Sequence, residues 1–209
     1  MISNPDLYVE KKLCQSGSLR VAGMDEAGRG ALAGPVTVAA VILPNLPRLS
    51  RTLSGVRDSK QMTPGQRECW AAAIQESARA WSLGWASADE IDSFGISAAT
   101  RLAAERAINA LTLVPDFLLT DFRLNPDTDI PLTSIVKGDQ KSLSIAAASV
   151  LAKTARDALM RELDEQYPGY GLSRHKGYGT AIHRTAIARL GHSAIHRKTF
   201  AFKSNRNSR

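Results

Sequence analysis

Cysteine is nearly absent from this 209-residue chain. Cys14 and Cys69 are the only two, too few for a disulfide framework and without the pairing that a thiolate zinc site needs. A long hydrophobic run is lacking too: the longest, Ala31 to Leu43, contains Gly34 and Pro35 and is too short to span a bilayer. Met1-Ile2-Ser3-Asn4-Pro5-Asp6 has no signal-peptide core. These absences exclude a secreted disulfide scaffold and a helical membrane protein, and they predict a protein of a reducing cytoplasm with no membrane partner. No internal repeat is visible, and 44% hydrophobic residues suffice for one α/β domain with a small appendage. Acid is missing from one end. From Gln166 to Arg209 there are nine Lys or Arg and no Asp or Glu, leaving 18 basic and 20 acidic residues in 1–165. All four histidines, His175, His183, His192 and His196, lie in that segment among Tyr170, Tyr178, Phe200 and Phe202. A basic, aromatic-bearing end suits contacts with nucleic-acid backbone. With no H-E-x-x-H pattern, none of the histidines is assigned to metal.

The stretch Met24-Asp25-Glu26-Ala27-Gly28-Arg29-Gly30 carries the most chemistry. Leu19 to Met24 is short and apolar, and Pro35 to Leu43 is rich in β-branched residues, which reads as strand, tight turn, strand. A dinucleotide fingerprint fails because the third glycine, Gly34, comes one residue late and a β-branched run stands where a helix should open. A P-loop fails for want of a Lys-Ser/Thr pair after Gly34.

Carboxylates recur in the same context. Phe117-Leu118-Leu119-Thr120 ends at Asp121, and Ile135-Val136-Lys137-Gly138 leads to Asp139 ahead of a long helical pattern. Strand carboxyl ends are the usual place for functional groups in an open α/β sheet. If the three ends lie side by side, Asp25, Glu26, Asp121 and Asp139 converge, and such a cluster must be neutralised by cations. All-oxygen ligands suit Mg²⁺ or Mn²⁺, and two ions are expected. Were such a cluster to serve phosphodiester hydrolysis, no histidine or cysteine nucleophile is required, and direct in-line attack of water without a covalent intermediate is expected. Gly28 and Gly30 leave room for a close backbone approach, and Arg29 offers its guanidinium or N–H to phosphate.

Taken together, Gly23-x-Asp25-Glu26-Ala27-Gly28-Arg29-Gly30, Leu32-Ala33-Gly34-Pro35-Val36, Asp58-Ser59-Lys60, Lys137-Gly138-Asp139, Ile145 to Lys153, Arg156-Asp157, Tyr167-Pro168-x-Tyr170-Gly171, His175 to Thr180 and His196-Arg197 resemble the ribonuclease HII family, the bacterial type 2 ribonucleases H, from about residue 19 to about residue 202. The resemblance implies an endonuclease that hydrolyses the RNA strand of RNA-DNA hybrids and cuts at single ribonucleotides in duplex DNA. It implies an α/β, ribonuclease H-like fold: a mixed five-stranded sheet flanked by helices, with a small helical C-terminal part. It places the acidic tetrad on Asp25, Glu26, Asp121 and Asp139, the backbone-gripping element on Gly28, Arg29 and Gly30, and the sugar-stacking tyrosine on Tyr178. One departure is Asp121-Phe122, where the family usually has Asp-Gly. Another is Gly95-Ile96-Ser97, where an asparagine more often precedes the isoleucine. Two other readings stay open: a related metal nuclease that ignores the 2′-hydroxyl, and a non-catalytic nucleic-acid-binding module.

The remainder reads as scaffold. Thr63-Pro64-Gly65-Gln66 is a capping box opening a helix to about Arg79. Trp81, Leu83 and Trp85 alternate as a strand face with Gly84 as a bulge, and Ser97 caps an alanine-rich helix to about Leu113. Leu143, Ala147, Val150, Leu151, Thr154 and Ala158 fall on one helical face. Lys153 and Asp157 stand four apart as a helix-surface pair or a support for the site, and Lys60 is a phosphate contact on a nearby loop. The expected layout is an N-terminal extension 1–18, a catalytic core 19–165, a basic helical substrate-binding part 166–202 and a disordered tail 203–209, in a monomer.

Overall fold

The computed structural model describes residues 5–46, 48–122 and 124–200. Met1 to Asn4, Phe202 and the tail from Lys203 to Arg209 lie outside them. Five strands form one mixed sheet in the order β3-β2-β1-β4-β5: β1 Val21–Ala27, β2 Val36–Ile42, β3 Ala80–Ala86, β4 Phe117–Asp121 and β5 Leu132–Ile135. β1 runs antiparallel to β2, with Asp25 opposite Ala39, and parallel to β4, with Met24 beside Thr120. β4 and β5 are also parallel, bringing Asp121 beside Ile135. The ends of β1, β4 and β5 are therefore neighbours. Asp25 and Glu26 lie inside β1 rather than in the turn after it, because pairing with β2 continues to Ala27.

The described residues form eight α-helices: α1 Tyr8–Gln15, α2 Leu49–Thr52, α3 Pro64–Ser77, α4 Ala88–Phe94, α5 Ile96–Asn109, α6 Leu143–Gln166, α7 Leu172–His175 and α8 Ala181–Leu190. The 24-residue α6 crosses one face, where Leu143, Ala147, Val150 and Leu151 pack with Ala39, Val41, Ala71 and Ile74. On the opposite face, Ala99, Ala103, Ala104 and Ala107 of α5 pack against Met24, Val38, Ala40 and Leu118. Small residues let both helices lie close. At Gly23 a β-carbon would overlap the Ser144 backbone of α6, and at Gly84 it would overlap the Ala103 carbonyl of α5. Gly84 pairs regularly with Val38, so it is a packing glycine and not a bulge. The Trp81, Leu83, Trp85 face is the less buried one, and Ala80, Ser82, Gly84 and Ala86 turn inward.

The Thr63 capping box forms as its sequence predicts. Ser97 does not cap α5: Gly95 occupies that position, after the short α4 that Ser87 and Glu90 cap reciprocally. α1 is tied to the start of α6, where Glu10 Oε1 accepts from Ser142 Oγ at 2.6 Å, Ser144 N at 3.0 Å and Ser144 Oγ at 2.6 Å. A carboxylate there also suits the positive end of the helix dipole. α7 and α8 close a separate cluster in which Tyr170, Leu172, Ala186 and Ile187 pack on Ala33 and Met160. No helix among the described residues is long and apolar enough to cross a membrane.

Because the neighbour at Gly23 is backbone rather than a movable side chain, Gly23→Ala is expected to push α6 off β1. A loss of about 1–3 kcal/mol or more, the range for overpacked cores, should appear in denaturant unfolding; unchanged stability would show that the helix is not seated on that glycine.

Candidate active site

Asp25 and Asp121 project from adjacent parallel strands, and the third acid arrives differently. Asp139 is not at a strand end. It sits in a 3-10 turn, Gly138–Gln140, between β5 and α6. Gly138 N donates to Asp121 Oδ1 at 2.9 Å, locking that turn against β4. Strand alternation puts Asp25 on the α6 face with Gly23, and Glu26 on the other. Yet β1 ends here, and Glu26 borders a cavity of about 210 Å³ with Gly28, Arg29, Gly30, Ser59, Lys60, Ser149, Lys153 and Tyr178. The acids, the glycine-flanked arginine, Lys60 and Tyr178 are thus gathered in one region of the molecule.

The electrostatics show how tightly the acids are held. Burial, then the charges of Glu26 and Asp121, drive the Asp25 carboxyl well above its ordinary range, against hydrogen bonds from Ser149 and the Glu26 amide. That amide donates to Asp25 Oδ1 at 2.8 Å. Glu26 is raised chiefly by burial and further by Asp121, with Arg29 and Lys60 pulling the other way. Asp139 is pushed up to about 6 by burial, by Asp58 and by Asp121, and it shares a side-chain hydrogen bond with Asp58. Burial works against the Lys60 charge, but Asp25, Asp58, Asp139 and Asp121 outweigh it and hold the ammonium above its usual pKa.

A buried oxygen of Glu26, Oε2, has no hydrogen-bond partner. Carboxylates raised by burial and then by one another's charge, with an orphaned oxygen among them, are a donor set that divalent cations would neutralise. Among the described residues no three acidic, histidine or cysteine side chains are grouped so as to hold a metal ion between them.

Several supports were not visible as such in the sequence. Ser149, on α6, reaches Asp25 and lies 2.9 Å from Ser59 Oγ; a lone polar residue in an alanine-rich helical face was the available signal. The Lys153–Asp157 pair is partly buried, and its carboxylate also takes Arg67 Nη2 at 3.1 Å. Arg67 Nη1 in turn donates to the carbonyls of Ser59 and Met62 at 3.1 and 2.6 Å, so this network fixes the turn that carries Lys60. Arg29 Nη2 reaches Ser97 Oγ at 3.2 Å, the contact that replaces the expected cap.

The two glycines beside Arg29 differ. A β-carbon on Gly28, at φ +88°, would overlap the Arg156 guanidinium, whereas one on Gly30 would meet nothing within 4 Å. Gly28 is therefore required by the protein interior, and Gly30 alone leaves an open approach. Lys153 Nζ and Arg156 Cζ each lie 5.6 Å from the Tyr178 ring centroid, which steadies the ring by cation–π attraction.

Nor do three of the four histidines lie on the surface. His175, His183 and His196 are buried, and their bonds select one set of neutral tautomers. His196 Nδ1 accepts from Ser193 N, so its Nε2 donates to His183 Nε2 at 3.1 Å, and His183 Nδ1 donates to the Tyr178 carbonyl at 3.1 Å. Burial, then neighbouring histidines, lowers His183 and His196 to about 4. Arg197 is buried as well. The exposed or partly exposed basic residues described after Gln166 are Arg174, Lys176, Arg184, Arg189 and Lys198.

The chain is similar to known proteins over most of its length. Residues 22–203 match the profile of the family described as ribonuclease HII. A ribonuclease HII of Nitrosococcus oceani is 54% identical over 182 residues, 87% of this chain and 88% of that one. The ribonuclease H2 of Pyrococcus horikoshii superposes with a TM-score of 0.70 at 28% identity, covering 87% and 93% of the two chains. The ribonuclease HII of Archaeoglobus fulgidus, solved as a complex with PCNA, gives 0.73 at 27% identity over 89% and 97%.

Between about pH 4 and 6 the folded chain keeps a proton on Asp139 that the unfolded chain has released, so this group's contribution to stability falls as pH rises through that window and is lowest above it. Asp139→Asn is accordingly expected to melt above the parent chain at pH 8 in a chelator. The gap should close toward pH 4 and narrow when Mg²⁺ is added. A variant that melts lower at pH 8 would contradict the repulsion.

Proposed function

The chain belongs to the ribonuclease HII family of metal-dependent nucleases, and on that premise we propose that it hydrolyses the RNA strand of RNA-DNA hybrids and cuts duplex DNA at single embedded ribonucleotides, using two Mg²⁺ or Mn²⁺ ions. The observation that carries this reading is the repelling carboxylate cluster beside the open face of Gly30. Asp25, Glu26, Asp121 and Asp139 would hold the ions. Once bound, such ions supply an activated water on one side of phosphorus and charge neutralisation at the leaving oxygen on the other.

The chain's own residues do the rest. Lys60, kept cationic by the acids around it, meets a phosphate next to the scissile bond. The Gly28-Arg29-Gly30 turn approaches the ribose through main-chain groups, since Gly30 presents no side chain, and main-chain N–H groups can donate to the 2′-hydroxyl oxygen. Tyr178 packs against the sugar, its carbonyl anchored by the histidine network. Residues 19–165 act as the catalytic core and 166–202 as the substrate-binding part of a monomer. Arg174, Lys176, Arg184, Arg189 and Lys198 supply its attraction for a polyanion, and binding should weaken steeply with salt.

The test is cleavage, with Mg²⁺ or Mn²⁺, of a DNA duplex holding one ribonucleotide against an all-DNA control of the same sequence. Cutting confined to the ribonucleotide duplex and abolished by chelator is expected; equal cutting of both would leave a nuclease blind to the 2′-hydroxyl. Asp25→Asn should lower the cleavage rate at least about 10²-fold, as removal of a charge-stabilising group does, while duplex affinity stays within a few-fold. Unchanged cleavage would remove the acids from the chemistry.

A further inference from the structure

The turn between β1 and β2 is held from its buried side by two guanidiniums that form no ion pair among the described residues. Arg197 Nη2 donates to the Gly28 and Gly34 carbonyls, each at 2.8 Å, its Nη1 donates to the Arg29 carbonyl at 2.9 Å, and its Nε donates to Gly34 O at 3.0 Å. Arg156 donates to Pro35 O at 2.9 Å, Lys176 O at 2.9 Å and Ala33 O at 3.1 Å, and its guanidinium fills the space beside Gly28. Placing an arginine out of water without a carboxylate is unfavourable. Burial lowers both pKa values, Arg197 to about 9, and carbonyl dipoles are what keep these charges in place.

All peptide bonds described are trans, and in a trans peptide the C=O and the following N–H point in opposite directions. Drawing the carbonyls of Gly28 and Arg29 down onto Arg197 therefore turns the amides of Arg29 and Gly30 outward. Ala31 N closes the turn by donating to Gly28 O at 3.2 Å, which leaves Arg29 and Gly30 as its two central residues. Successive outward N–H groups in a turn form a concavity suited to an anionic oxygen, and this one borders the cavity that also holds Lys60 and Tyr178.

We propose that Arg197, supported by Arg156, is a positioning residue for substrate selection: by holding the carbonyls of Gly28 and Arg29 it aims the Arg29 and Gly30 amides at the ribose 2′-oxygen and the adjoining phosphate. The proposal rests on reading the turn as a substrate-binding element. It assigns ribonucleotide selection to a residue in the C-terminal part, 168 positions from Arg29. Arg156 has a parallel duty, because its bond to Lys176 O ties the turn to the loop that presents Tyr178.

The experiment measures kcat and KM on the single-ribonucleotide duplex, and affinity for that duplex and the all-DNA duplex, for the parent chain and Arg197→Lys. The lysine keeps the charge but cannot span three carbonyls. The expected result is a 10- to 100-fold fall in kcat/KM carried mainly by KM, with preference for the ribonucleotide duplex reduced by a similar factor and all-DNA affinity unchanged, as for the loss of charge-assisted hydrogen bonds. A variant that melts lower yet keeps KM and preference would overturn the proposal, leaving Arg197 as structure alone.

Should Arg197→Lys not fold, the amide resonances of Arg29 and Gly30 are followed in Asp25→Asn with Mg²⁺. They should move on adding the ribonucleotide duplex and stay in place with all-DNA, and equal or absent movement would overturn the proposal. A parent chain without ribonucleotide preference would instead sink the reading of function on which this one rests.

Discussion

The closeness of α6 to β1 governs the rest of the structure. The helix backbone lies where a β-carbon of residue 23 would be, so α6 passes over the central strand at the smallest separation the chain permits. Ser149 thereby reaches Asp25, and the 3-10 turn carrying Asp139 is drawn to the ends of β1 and β4 because it runs directly into the helix. Ala146, Ala147 and Ala148 are fully buried; larger side chains there would lift the helix and separate the acids. Glu10 and Ser142 fix the helix along its own axis. Three of the acids ride on rigid strands and the fourth on a turn that a helix N-terminus holds, which is how functional groups keep sub-ångström placement.

Positive charge is distributed by an opposite logic. Arg156 and Arg197 are buried under the β1–β2 turn and spend their donors on carbonyls, while Lys60, Arg29 and Lys153 stand around the cavity. The buried pair is shape-defining: a planar fork can meet several carbonyls at fixed angles where an ammonium cannot. The cavity-side set is field-defining, and its members lie against carboxylates, Lys60 near Asp25 and Arg29 near Glu26. Acidic and basic side chains are thus interleaved around one cavity.

The parts of this arrangement that local rules govern could be read along the chain. An apolar run ending in Asp25-Glu26, another ending in Asp121 and the Thr63-x-x-Gln66 cap each carry their own signal within a few residues. What misled were residues whose local role was overridden by a distant partner. Ser97 has the chemistry of a cap but meets Arg29, Gly84 reads as a bulge but admits α5, and Gly28 and Gly30 look alike until Arg156 is placed. The charge count of the C-terminal part could not tell which groups face outward, since composition carries no information on burial: of the Lys and Arg described there Arg197 faces inward, and His183 and His196 beside it are neutral at pH 7.

Burial of those histidines explains a feature that the charge count obscured. A neutral imidazole can pass a hydrogen-bond direction along a chain, because accepting at one nitrogen obliges donation at the other. From Ser193 through His196 and His183 that obligation ends at the Tyr178 carbonyl, three residues from the ring of His175 stacked on His183. Burial chiefly holds both central rings far below the ordinary imidazole pKa; protonating His183 would also set two donors face to face at 3.1 Å, and protonating His196 would turn a donor onto Ser193 N at 3.0 Å. The C-terminal part is therefore less a basic patch than a rigid bracket. Its helices α7 and α8 pack on Ala33 and Met160, its histidines fix the loop of Tyr178, and its one buried arginine fixes the turn of Arg29. Tyr178 and Ala31 are bridged directly by backbone pairing, so the loop of Tyr178 and the turn of Arg29 are tied to each other as well as to the bracket.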